Sequence, residues 1–361
     1  MTATAPTLPG PVSRINPATA YRRPATASGL LCLDSNEGVL PSRELLGDLA
    51  HADPELLRRY PDVSALETAL ARRVGVAPER LLVTAGADEG IDRACRAFLE
   101  PGRTILLPEP SFDMFDCCAT LAGGEPVRVP WWDDDFPIAA FANRIDKRTS
   151  VVAIVSPNNP TGSVATLADV RRLAAAAPNA LVILDHVYVE YADEDLTSGV
   201  LDLPNVLVLR TLSKAWGLAG CRLGYAIGSP YVIAVLRAAG GPYTVAAPSV
   251  ALALAQLERG VEPFRAHVAR VREERRVLSA RLAAAGLAPQ PSQANFVFVE
   301  CGPRAEAIRA GLAARGVLVR DFPGRRGLET ALRITLPGNA GDFERLSGAL
   351  DGTLAAEGRE P

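Results

Sequence analysis

The chain has 361 residues, 48% of them hydrophobic, enough to bury one large and one smaller core; this excludes a disordered, collagenous or small disulfide-stapled protein. Lysine and arginine number 38 against 41 acids. The resulting net charge of −3 gives no sequence-wide field for nucleic acid or an anionic membrane, so small molecules are the expected partners.

Met1 to Pro17 mixes Thr, Pro and Ala without a basic start followed by an apolar run, so it reads as a flexible arm and not a secretory signal. Leu31–Leu33 follows, a strand pattern too short to fold alone, expected to pack on the C-terminal part or on a partner subunit. Ser64 and Glu67 have the S-x-x-E spacing of a capping box, opening an amphipathic helix through Val74. Next come seven short apolar runs rich in β-branched residues: Leu81–Thr84, Thr104–Leu107, Val127–Val129, Val151–Val155, Leu181–Leu184, Val206–Leu209 and Leu223–Ile227. They lack polar alternation and helical patterns lie between most of them, which predicts a mostly parallel α/β sheet covered on both faces.

After Pro230 the pattern changes. A helical stretch rich in Ala, Leu and Arg, roughly Val245 to Ala285, precedes strands at Phe296–Val299, Val317–Arg320 and Leu332–Thr335. The expected division is an arm with part of the small domain over 1–45, a large domain over 46–240, and a connecting helix with a small α+β domain over 241–361. The most apolar stretches, such as Val250–Leu257, fall far short of the roughly 20 residues of a membrane helix. Six cysteines without C-x-x-C spacing or histidine partners give no metal site; they read as buried thiols in a reducing cytoplasm.

Chemistry concentrates at strand ends. Thr211-Leu212-Ser213-Lys214, with Arg222 close behind, gathers a lysine, two hydroxyls and an arginine after a buried strand. A partly desolvated lysine there favours the neutral nucleophile and a Schiff base with an aldehyde, with an anion held by Thr211, Ser213 and Arg222. Taken alone the segment equally fits an ordinary loop lysine with a surface ion pair. Gly86-Ala87-Asp88-Glu89 opens a helix after a strand, where backbone N–H groups bind an anion. A simple N-cap at Asp88 is compatible with that. Ser156-Pro157-Asn158-Asn159-Pro160-Thr161-Gly162 holds a side-chain amide between prolines; Asp185 and Tyr188 follow another strand; and Arg333 lies inside a strand, where it needs a cleft or an anion.

This ordered set resembles the fold type I pyridoxal-phosphate aminotransferases, and within them the histidinol-phosphate aminotransferase branch. The resemblance runs from about Leu31 to Thr335 through Asp34-Ser35-Asn36-Glu37, Arg59-Tyr60-Pro61-Asp62, Gly86-Ala87-Asp88-Glu89, the P-N-N-P-T-G loop, Arg210-Thr211-Leu212-Ser213-Lys214-Ala215 and Leu332-Arg333-Ile334-Thr335. It implies pyridoxal 5′-phosphate as cofactor, joined covalently to Lys214. Asp185 would pair with the ring nitrogen, and Asn159 and Tyr188 would bond the phenolic oxygen. Ala87, Asp88, Thr211, Ser213 and Arg222 would hold the phosphate, with Phe112 stacked on the ring. Tyr60 would reach the neighbouring subunit's phosphate, which implies a homodimer. Arg333 and Arg320 would bind the substrate's anionic group, with Asn36 and, in the arm, Tyr21 as further substrate contacts.

The implied activity is amino transfer between a primary amine, foremost histidinol phosphate, and 2-oxoglutarate. Three alternatives stand beside it: another amino acid in a specialised pathway, decarboxylation of a phosphorylated amino acid such as threonine phosphate, and a non-catalytic regulator. The last is disfavoured because Lys214 and Asp185 are retained. Two residues depart from the family pattern, His186 where glutamate is usual and Phe112 where tyrosine is usual. His186 reads as a satisfied supporting histidine. Trp131-Trp132-Asp133-Asp134-Asp135-Phe136 has no counterpart and reads as a solvated acidic loop with aromatic anchors.

Overall fold

The computed structural model describes residues 13–15, 29–132 and 135–357. Twelve strands lie among them: β1 (Leu31–Leu33), β2 (Leu81–Thr84), β3 (Thr104–Glu109), β4 (Glu125–Pro130), β5 (Thr149–Val155), β6 (Leu181–Asp185), β7 (Val206–Thr211), β8 (Gly224–Ile227), β9 (Ala288–Pro289), β10 (Phe296–Glu300), β11 (Val317–Val319) and β12 (Ala331–Thr335). Seven form one sheet in the order β2-β8-β7-β6-β5-β3-β4, with β8 antiparallel to both neighbours and the other pairings parallel.

Side chains alternate across a strand, and here both faces are covered. Val182 and Leu184 of β6 join one buried cluster while Leu181 and Ile183 join another. That is why the run has no polar alternation. A third cluster gathers Phe296, Val297 and Val299 of β10 with Val271, Leu278 and Leu282 of the helix Val261–Ala284. Phe264, near the start of that helix, packs on both the first and the third cluster. The C-terminal strands form an antiparallel sheet β12-β10-β9, and β1 pairs in parallel with β11, so Leu31–Leu33 packs on the C-terminal part of the chain.

Local expectations fail where a side chain finds a more distant partner. The helix Ser64–Val74 forms, but without the capping box: the Ser64 N–H donates to Asp62 Oδ1, while Glu67 is buried, accepts from the Val83 N–H at 3.0 Å and pairs with Arg237. The box appears instead at Thr166 and Asp169. The stretch read as one helical region divides at Gly260 into Ala247–Arg259 and Val261–Ala284. Of the six cysteines only Cys95, Cys118 and Cys301 are buried; Cys117 is exposed, and Cys32 and Cys221 are half-buried. Among the described residues no helix is long and apolar enough to cross a membrane.

Candidate active site

Parallel strands point their carboxyl ends the same way, and the loops that follow β2, β3, β5, β6 and β7 meet there with the segment after β1 and with β12. They enclose a cavity of about 340 Å³. Of the residues singled out from the sequence, Asn36, Ala87, Asp88, Phe112, Asn159, Asp185, Tyr188, Thr211, Ser213, Lys214, Arg222, Arg320 and Arg333 all line it. Tyr60 does not: it is 78% exposed outside the cavity, stacked on Tyr243 at 4.4 Å between ring centroids. Tyr21 lies outside the described residues.

Lys214 sits on the loop after β7, its Nζ 3.4 Å from the Ser35 carbonyl oxygen and 5.6 Å from the centre of the Tyr188 ring. Two glycines allow the segment after β1 to lie on this loop. A Cβ at Gly38 would overlap the Lys214 carbonyl oxygen, and one at Gly217, whose φ is +72°, would overlap that of Val39.

Asp185 ends β6 and is 2% exposed, its carboxylate accepting, among the described residues, a single 3.3 Å bond from the Val187 N–H. Burial pushes its carboxyl up to about 7, against the Val187 N–H bond and the Lys214 charge, which lower it. Beside it the helix Gly86–Phe98 begins, with Ala85 as its N-cap and Asp88 inside the first turn. The Asp88 carboxylate is turned to Arg222 at 3.2 Å, leaving its backbone N–H for a ligand. Arg222 has a φ of +53°, and a Cβ on Gly86 would stand 2.7 Å from its guanidinium, so glycine keeps this corner open. The Thr211 hydroxyl donates to the Leu223 carbonyl and accepts from the Ser213 N–H at 3.1 Å each, which shapes the loop ahead of Lys214.

Arg333 reaches the cavity from β12. Its Nη1 donates to Asn159 Oδ1 and its Nη2 to the Asp34 carbonyl, both at 2.6 Å, while Nε has no partner among the described residues. Burial brings the guanidinium down to about 10. Arg320 lies alongside, each backbone N–H donating to the other's carbonyl across the two strands. Asn36, with a φ of +54°, donates from Nδ2 to the Tyr188 hydroxyl at 2.9 Å and accepts from Thr335 at 2.8 Å. The Thr335 bond holds this amide so that it donates to Tyr188.

The amide that donates between the prolines is Asn158, missed in the sequence. Its Nδ2 bonds the Pro110 carbonyl and Thr161, tying the loop after β5 to the loop after β3. Asn159 uses its oxygen, toward Arg333. His186 is buried; its Nδ1 bonds the Ser156 carbonyl and its Nε2 accepts from the Leu196 N–H at 3.2 Å, so it is a satisfied neutral ring, and burial lowers its pKa to about 4. Trp131 and Phe136 are buried and meet edge to face at 5.1 Å, anchoring the segment whose Asp133 and Asp134 lie outside the described residues.

The family model described as aminotransferase class I and II matches residues 27–350. The chain is 36% identical over 310 residues to an aromatic amino acid aminotransferase of Mycobacteroides abscessus, covering 84% of this chain and 89% of that one. It is 39% identical over 320 residues to a histidinol-phosphate aminotransferase of Xanthomonas euvesicatoria, covering 84% and 87%. Among solved structures, the histidinol-phosphate aminotransferase of Sinorhizobium meliloti in complex with pyridoxal 5′-phosphate superposes with a TM-score of 0.80 at 26% identity, covering 91% of each chain. The chain belongs to the class I and II aminotransferases and is a pyridoxal-phosphate-dependent enzyme of fold type I, resembling the histidinol-phosphate aminotransferases.

Proposed function

We propose that the protein moves an amino group between a primary amine, with histidinol phosphate as the leading substrate, and 2-oxoglutarate. What supports this most is one observation: Asp185 and Arg333, two buried charged groups that form no ion pair among the described residues, line a single cavity with the Lys214 amine. Isolated buried charge is costly, so each site is complete only when a ligand answers it.

The residues fit the cofactor. A protonated ring nitrogen would answer Asp185, and a phosphate would answer the helix start at Ala87 and Asp88 together with Ser213 and Arg222. Pyridoxal phosphate, when bound, supplies an aldehyde to Lys214 and an electron-accepting ring. The chain's own residues do the rest. Lys214 carries a proton to and from the substrate α-carbon; Asp185 keeps the ring nitrogen protonated; Asn36 fixes the Tyr188 hydroxyl and Arg333 fixes Asn159, both toward the phenolic oxygen. Phe112 packs on the ring. Arg333 and Arg320 take the substrate's anion, which in histidinol phosphate is a phosphate and in glutamate a carboxylate.

The homodimer belongs to the same proposal. Tyr60 is displayed on the surface beside Tyr243, with Leu40 and Leu57 also exposed, which suits a second copy that receives Tyr60 in its own site. Six cysteines without a C-x-x-C spacing or histidine partners suit a reducing cytoplasm. An aromatic amino donor is the second reading, favoured by the Mycobacteroides abscessus relative and by Phe112, Met114 and Phe322 on the cavity wall.

The test is rapid mixing of loaded enzyme with histidinol phosphate, phenylalanine and glutamate in turn, following conversion of the cofactor's visible band to the aminated form. Conversion by histidinol phosphate with kcat/KM at least about tenfold above phenylalanine supports the leading substrate; the reverse order supports the second reading. No conversion by any amine, with carbon dioxide released from a phosphorylated amino acid, would replace transamination by decarboxylation.

A further inference from the structure

The loop between β11 and β12 forms the outer wall of the cavity through Arg320, Phe322 and Arg325. Opposite it, after β3, stand Ser111, Phe112, Asp113 and Met114. Arg325 crosses the gap between them: Nη1 pairs with the Asp113 carboxylate, and Nη2 donates to the Ser111 carbonyl at 3.4 Å. Two residues on, Gly327 has a φ of +78°, and a Cβ there would stand 3.2 Å from the Trp132 ring. The unplaced Trp131-Trp132 segment therefore has a use in this geometry. Its first ring is locked in the core and its second lies against the loop that carries Arg325.

The two outer arginines differ in charge balance. Arg325 is neutralised by Asp113, whereas Arg320 makes no ion pair among the described residues. We propose that Asp113 is a specificity-determining residue: by holding Arg325 it reduces the outer compartment to one uncancelled cation and an apolar wall, so that a flat uncharged side chain is admitted alongside a phosphorylated one. Trp132 is a positioning residue that keeps the Arg325 loop in register with Asp113. A phosphate entering this compartment meets the Asp113 carboxylate and competes with it for Arg325. An aromatic ring meets Phe112, Met114 and Phe322 and leaves the ion pair in place.

The inference deepens the transamination reading and takes its substrates from it, but its test is read on bound probes. Cofactor-loaded wild type, Asp113→Asn, Arg325→Gln, the double variant and Trp132→Ala are titrated with inorganic phosphate and with 3-phenylpropionate, whose carboxylate takes the place of the substrate's. Binding is read by tryptophan fluorescence and by the cofactor band. Asp113→Asn is expected to bind phosphate on the order of fivefold more tightly, the scale of a half-exposed ion pair, with 3-phenylpropionate within about twofold of wild type. The double variant should lose that gain, and Trp132→Ala should lower the fluorescence change while weakening both probes. Unchanged phosphate affinity in Asp113→Asn, or a gain that survives in the double variant, would overturn the proposal. If no amine is transaminated by wild type while the probe ratio shifts as stated, the transamination reading falls and the role of Asp113 stands.

Discussion

Replacing Asp185 with asparagine separates the two states of the site. In the cofactor-free protein burial moves this carboxyl from its ordinary 3.8 to about 7. The folded form then holds a proton that the unfolded chain releases between those values. The Asp185 contribution to stability therefore falls as pH rises from about 4 to about 7 and levels off above that. At about 1.4 kcal/mol per pH unit the penalty reaches on the order of 4 kcal/mol at pH 8 and about 1.5 kcal/mol at pH 5. Asparagine carries no charge and escapes it. Cofactor-free Asp185→Asn should therefore be more stable than cofactor-free wild type at pH 8 by up to that amount, a large share of a domain's stability, with the advantage shrinking at pH 5. Adding pyridoxal phosphate should reverse the order, because the carboxylate then has its cationic partner and the amide does not. Urea unfolding of both proteins at pH 5, 6, 7 and 8, with and without cofactor, measures these differences. Equal midpoints at pH 8 without cofactor, or a difference indifferent to pH, would refute the account of Asp185 as an unanswered buried charge. A normal rate of α-proton removal in the loaded variant would refute its role toward the ring.

Lys214→Ala should abolish turnover while cofactor still binds noncovalently, seen as loss of the covalent mass adduct with cofactor retained on gel filtration. Arg333→Ala removes the donors to Asn159 and Asp34 and should raise KM for anionic substrates more than for neutral ones, by about 10²-fold for a lost charge-assisted fork, in steady-state kinetics. His186→Ala leaves the Ser156 carbonyl and the Leu196 N–H unanswered and should cost about 1–3 kcal/mol in urea unfolding at pH 8. Because burial lowers the His186 pKa to about 4, the contribution of this ring to stability should be lost as pH falls from about 6.5 toward 4, so the stability difference between wild type and the alanine variant should shrink over that range. Gly38→Ala drives a methyl into the Lys214 carbonyl and should reduce kcat by at least about tenfold with far-UV circular dichroism unchanged.

The strands of the large sheet were legible because burial on both faces writes them as unbroken apolar runs, as in Leu181–Asp185. The residues around the cavity were legible because short polar motifs interrupt such runs at strand ends. Side-chain destinations were less so. Glu67 stands at capping-box spacing, yet it serves an N–H sixteen residues away, since a buried strand donor competes better for a carboxylate than a solvated helix end. Arg325 and Asp113 meet across more than two hundred residues through a loop with no periodicity, so nothing local announces their pairing. Asn158 and Asn159 are adjacent and chemically identical; only the fold decides that one ties two loops together and the other faces Arg333.

Three contacts of the N-terminal segment span nearly the whole chain: Leu31 beside Val317, Asp34 to Arg333, and Asn36 to Thr335. During synthesis at about 5–20 residues per second, that segment waits some 15 to 60 seconds for partners not yet made. The seven-stranded sheet can form on the ribosome long before then. The lysine pocket, however, gains its N-terminal wall and the buried Arg333 only once the last strand has emerged, so a nascent chain stalled before residue 331 would carry a folded sheet and an unfinished site.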